Sequence, residues 1–213
     1  MTDAASSGPA SAFDVDPLQR ALFEAVPLLT LLLVPALTMR LWAEERRSGT
    51  IELLLTLPLT AWQAVLGKFL AAWLFVGLAL LLTFPTWLTV NYLGDPDNGV
   101  IAAAYIGSWL MAGGFLAIGS CMSALTRNQV VAFILSVVVC FGFLLSGLPM
   151  VTDLFSAWAP QSLLDAIAGF SFLAHFATIS RGGIDVRDLI YFGLAIVFWL
   201  LANTIVLEIK KAN

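Results

Sequence analysis

The residue types best suited to acid–base or metal chemistry are sparse in this chain and sit apart. The single histidine, His175, shares a segment with Asp165, Asp185 and Asp188. No cysteine or second histidine stands nearby, and the spacing matches no ligand set, so a structural or interfacial role is expected for it. Gly67-Lys68 has the closing residues of a phosphate loop but lacks the first glycine of G-x-x-x-x-G-K-[ST], and it opens an apolar run. Nucleotide hydrolysis by that machinery is therefore excluded for this chain, and no catalytic residue, cofactor or metal is expected in it. Cys121 and Cys140 both lie inside apolar runs and read as small buried hydrophobes rather than a disulfide.

The densest charge is in Arg40 to Gln63, RLWAEERRSGTIELLLTLPLTAWQ. Glu44 and Arg47 stand three apart, the spacing of an ion pair if an apolar helix continues through them. Ser48-Gly49 interrupts that helix. A second short helix is expected from Gly49 or Thr50, with Glu52 in its first turn, where a carboxylate suits the positive end of the helix. Ile51, Leu54 and Leu55 give it an apolar face, and Pro58 ends it. Thr60 with Gln63 then forms a capping box for the next helix. The pattern is a short amphipathic element held between two long apolar segments, suited to the headgroup region or to a partner protein.

Those flanking segments identify the solvent. Of 213 residues, 60% are hydrophobic and 11% charged, and mean hydropathy is +0.94. A soluble domain is about 45–50% apolar and about a quarter charged. The excess must face lipid. Five blocks are long enough to cross a bilayer: Leu22 to Trp42, Ala64 to Val90, Val100 to Leu125, Val130 to Leu148 and Leu189 to Leu207. The fold class is all-α, a polytopic helical membrane protein. Residues 1–20 read as a disordered extracytoplasmic tail and 21–213 as one transmembrane domain. No ionisable residue falls mid-span, which argues against a proton path or an intramembrane active site. The net charge of −4 includes no basic tract suited to nucleic acid.

Orientation follows from the basic residues near span ends. With the AEERRSG connection in the cytoplasm, Arg40, Arg46, Arg47, Lys68, Arg127, Lys210 and Lys211 lie inside, against Arg20, Arg181 and Arg187 outside. The N-terminus is then out and the C-terminus in. The long connection from Pro149 to Asp188 falls outside. Leu163, Leu164, Ile167, Phe170, Ser171 and Ala174 share one helical face there, which predicts an interfacial helix or re-entrant hairpin. Small residues are concentrated in the third span at Gly107, Ser108, Gly113, Gly114, Gly119 and Ser123, the composition of close helix packing or of a pathway wall.

Three separated stretches resemble one known family. They are PALTMRLWAEERRSGTIELLLTLPLTAWQAVLGKFLAA from Pro35, SALTRNQVVAFILS from Ser123 and HFATISRGGIDVRDLIYF from His175. Together they are similar to permeases of type-2 ATP-binding-cassette exporters, in the gliding-motility GldF-like subgroup. The resemblance covers roughly Val26 to Glu208. It implies that Glu44 to Leu57 forms a cytoplasmic coupling helix docking on an ATPase subunit. Glu44, Glu45, Arg46, Arg47, Gly49, Thr50 and Glu52 would make that contact, with Arg127 as a further member.

The resemblance also implies re-entrant helices at Ser162 to Ile179, and a unit of two permease chains, identical or paralogous, with two ATPases that hold ATP and Mg. An extracytoplasmic accessory protein is a further partner compatible with the outer segment. Localisation would be the bacterial cytoplasmic (inner) membrane, and the activity export by alternating access. The family has six spans and five are read here, the first being the one without a counterpart. The competing reading is a membrane scaffold of a motility or envelope machine that moves no substrate. A phosphate-loop ATPase encoded beside the gene would distinguish the two.

Overall fold

A computed structural model describes residues 15–50, 60–94, 97–146, 148, 169–180, 182–183 and 185–212. Helix makes up most of the described part of each predicted span. Helix α1 (Val15–Thr38) begins inside the stretch read as a tail and contains Pro27 and Pro35. Threonines bond to carbonyls in the turns around both prolines. Thr30 Oγ1 donates to the carbonyls of Val26 (2.8 Å) and Pro27 (3.0 Å), and Thr38 Oγ1 donates to Pro35 (3.1 Å), as expected where proline disturbs a helix in lipid. After a turn at 39–42 comes the short α2 (Ala43–Ser48).

Helix α3 (Ala61–Leu81) starts with the expected capping box: Thr60 accepts from Gln63 N, and Gln63 accepts from Thr60 N. The second predicted span is not one helix. It breaks at Leu82–Thr83 and restarts as α4 (Phe84–Leu93). Pro85 in the first turn of α4 explains the break, since it has no N–H to continue the ladder of α3 but suits a helix start. Then follow α5 (Asn98–Leu125), capped by Asp97, and α6 (Gln129–Leu145), capped by Asn128. The last two are α7 (Phe172–Ser180) and α8 (Val186–Ala212). Among the described residues, four segments are long and apolar enough to cross a membrane: 25–48, 61–92, 98–125 and 186–210. The fourth predicted span, α6, is an apolar helix of 17 residues, at the short end of the spanning range.

Helix α5 is the axis of the bundle. Every residue from Met111 to Ala124 is buried, and α1, α3, α6, α7 and α8 all pack on it. Its small residues are where other side chains come closest. A Cβ on Gly114 would lie 2.7 Å from the Phe172 ring, and one on Gly119 would lie 2.1 Å from Thr38 Oγ1. The third-span glycines are thus packing seams, and the pathway-wall alternative is not needed to explain them.

Gly77 and Gly113 make room for a reciprocal tryptophan pair that fastens α3 to α5. Trp73 Nε1 donates to Trp109 O (3.0 Å), and Trp109 Nε1 donates to Trp73 O (3.2 Å). The rings stack with centroids 4.3 Å apart. On the flank between α1, α3–α4 and α5 lies an open apolar recess of about 460 Å³, lined among others by Leu29, Leu33, Phe75, Trp87 and Tyr105.

Candidate functional site

The charged bend is built from the backbone outward. Helix α2 has no cap of its own: Trp42, at the N-cap position, makes no side-chain cap bond. Its first N–H groups would be orphaned, and both Trp42 (1% exposed) and Ala43 (0%) are buried. The acceptor comes from α5. Ser123 Oγ receives Trp42 N (3.1 Å) and Ala43 N (3.0 Å), and donates to Met39 O (3.1 Å). One hydroxyl therefore closes the end of α1 and the start of α2.

The Trp42 indole is held on several sides. Its Nε1 donates to Ser120 Oγ (3.0 Å), which also receives Asn203 Nδ2 from α8 (2.8 Å). Lys68 Nζ stands 4.1 Å from the ring centroid, a cation–π distance. The same ammonium donates to Leu41 O (2.9 Å) and pairs with Glu45.

A second attachment lies at the C-terminal end of α5. Arg46 donates to Ala124 O. Lys210 Nζ donates to Leu125 O (2.6 Å) and Ala124 O (3.3 Å). Cations suit the unpaired carbonyls and negative dipole end of a helix, although burial and then nearby Arg127 push the Arg46 guanidinium below its usual range. Helix α2 stops at Gly49, whose φ of +75° is the left-handed conformation favouring glycine. Ser48 Oγ closes the last turn onto Glu44 O (2.9 Å).

The sequence that builds this bend matches a known family. The family model described as "ABC-2 family transporter protein" matches residues 21–206. The chain belongs to that family. Among curated proteins, none matches it significantly. Membership makes the chain a permease component of an ABC transporter, a multi-pass membrane protein whose ATPase is a separate subunit.

In the ABC-2 permease the sequence-derived contact set divides by direction. Glu44, Arg47, Gly49 and Thr50 are exposed on α2 and the residues just after it, and Arg127 is exposed on the turn between α5 and α6. Glu45 and Arg46 turn inward and hold α2 to α3 and α5. The Glu44–Arg47 pair that a continuous helix would have allowed does not form; among the described residues of this segment, Glu45 pairs with Lys68. Glu52, with the short helix expected after Gly49 and the outer stretch 149–168, lies outside the described residues.

Ser120, Ser123, Lys68, Asn203 and Lys210 were not distinguishable as site residues from sequence. They come from three other helices, and only a polar residue recurring near the same end of each span hinted at them. His175 joins α7 to α8: its Nδ1 lies 2.6 Å from Asp188 Oδ1, its Nε2 3.1 Å from Gly169 O, and its ring stacks on Tyr191 at 3.9 Å. Both ring nitrogens are taken by protein groups. Among the described residues, no cluster of three or more His, Cys, Asp or Glu side chains could hold a metal ion.

Proposed function

We propose that this ABC-2 permease exports its substrate across the cytoplasmic membrane by alternating access, with α2 and the segment after it as the handle that the ATPase grips. The observation that carries the reading is a short charged helix with an exposed face, fixed by its buried face to the central helix of the bundle. A handle must be accessible to the motor yet unable to slip on the body it moves. Arg46, Lys68, Arg127 and Lys210 gather at the same end of the bundle, which by the positive-inside rule supports a cytoplasmic position for this end. The N-terminus would then lie outside and the C-terminus inside. The likeness of its motifs to the GldF-like subgroup supports a place beside the gliding-motility exporters. Two permease chains, alike or paralogous, would complete the unit with two ATPases.

The test is charge reversal on the exposed face. Glu44→Lys combined with Arg47→Glu is expected to reduce recovery of the co-expressed ATPase in a permease pull-down by about tenfold, the effect of roughly 1.4 kcal/mol. Both residues are exposed, so the melting temperature of the permease alone should hardly move, as for surface substitutions generally. Undiminished recovery of the ATPase would count against the handle.

A further inference from the structure

Resting on the proposed coupling role of α2, we propose that Ser123 is the positioning residue through which movement of that helix enters the transmembrane bundle. A helix joined to a span only through a turn would bend at the turn when pulled. Here the turn at 39–42 is closed by a hydroxyl that belongs to neither neighbouring helix. Ser123 Oγ accepts the first two N–H groups of the α2 start and donates to the carbonyl of Met39. All these groups are buried or half-buried, and water is not at hand to replace a lost partner, so each bond is costly to break.

Three residues earlier on α5, Ser120 holds the Trp42 indole and the Asn203 amide together. One turn further along, the carbonyl of Ala124 receives Arg46. Helix α2 is thus fixed to successive positions 120, 123 and 124 of one helix. The cytoplasmic end of α5 and α2 move as one body, and because α5 is the buried axis, the displacement reaches α1, α3, α6, α7 and α8 together. A rigid-body shift of this kind is one of the ways a small motion at one site becomes a change of state at another.

The experiment uses the permease with its ATPase, reconstituted in lipid vesicles, and nitroxide labels on Ser48→Cys and Leu125→Cys. Both positions are exposed, whereas the native Cys121 and Cys140 are buried. The expected result is one narrow label–label distance, unchanged between the nucleotide-free complex and the complex trapped with ATP and vanadate. Ser123→Ala should broaden that distribution and lower permease-dependent ATP hydrolysis about tenfold, within the usual range of coupling between sites, while the ATPase still co-purifies. Ser123→Thr, which keeps the hydroxyl, should restore both readouts. If Ser123→Ala does not fold, Trp42→Phe, which removes the Nε1 donor to Ser120 and one ring but keeps an aromatic side chain, should give the same broadening in milder form.

A wild-type distance that shifts on trapping, or a Ser123→Ala complex indistinguishable from wild type, would overturn this inference and leave the handle standing. An ATPase that fails to co-purify with the wild-type chain would remove the handle and the inference together.

Discussion

Replacing Gly119 with leucine is expected to prevent the bundle from closing around its central helix. The first atom of the new side chain already clashes. A Cβ at this position would stand 2.1 Å from Thr38 Oγ1 and 2.8 Å from Thr38 Cβ. Real carbon atoms do not approach so closely, so either α1 moves away or Thr38 changes its conformation. Thr38 is fully buried, and its hydroxyl is committed to Pro35 O at 3.1 Å. That bond supports the turn where proline has disturbed the helix, so rotation of Thr38 carries its own cost. Overpacking a close-packed interior typically costs about 1–3 kcal/mol and sometimes more. Gly119→Ala should fall at the upper end of that range, and Gly119→Leu beyond it.

The measurement is the melting temperature and monodispersity of the detergent-solubilised permease. Gly119→Ala should lower the first clearly, and Gly119→Leu should abolish the second. Thr38→Gly in the Gly119→Ala background removes both close atoms and should recover part of the loss, a coupling between neighbours that distant sites do not show. Gly119→Ala with wild-type melting would contradict the seam between α1 and α5.

Trp42→Ala is the other large loss. The side chain is 1% exposed and lies where α1, α2, α3, α5 and α8 converge. Truncation removes the ring under Lys68, the Nε1 donor to Ser120 and the volume that keeps the bend closed. Core truncations of tryptophan cost about 3–5 kcal/mol, and this one also leaves the Lys68 ammonium without its aromatic face. The permease should melt markedly lower and lose its ATPase in the pull-down. Trp42→Phe should keep most of the melting temperature, because the aromatic surface stays. If alanine and phenylalanine behaved alike, the ring itself would contribute nothing and the geometry of the bend would need another explanation.

The spans were legible because their signal is local. An apolar block of twenty residues means a helix in lipid whatever surrounds it, and the capping box of Thr60 and Gln63 is written within four residues. The break inside the second span was legible in principle from Pro85, though the apolar run hides it. The bend was not legible. Charge spacing allowed a Glu44–Arg47 pair if the helix continued through them, yet the helix stops at Thr38, and the Trp42 and Ala43 amides are taken by Ser123, some eighty residues away. Likewise the ion pair seen is Glu45 with Lys68 of a neighbouring helix, whereas Glu44 and Arg47 are both exposed, where an i+3 pair is worth only a few tenths of a kcal/mol. His175 and Asp188 are thirteen residues apart and meet only because α7 and α8 fold against each other. In each case the missing information is which helix ends share a level in the bundle, and the sequence of one chain does not carry it locally.

A handle for a cytoplasmic ATPase must lie on the cytoplasmic side of the membrane. Ser48 is exposed at the tip of α2, and both native cysteines are buried, so a thiol reagent would report on Ser48→Cys alone. In intact cells a membrane-impermeant maleimide should leave that position unmodified, and permeabilised cells or inverted vesicles should label it fully. Labelling from outside intact cells would contradict the orientation, and with it the handle and the ATPase that pulls on it.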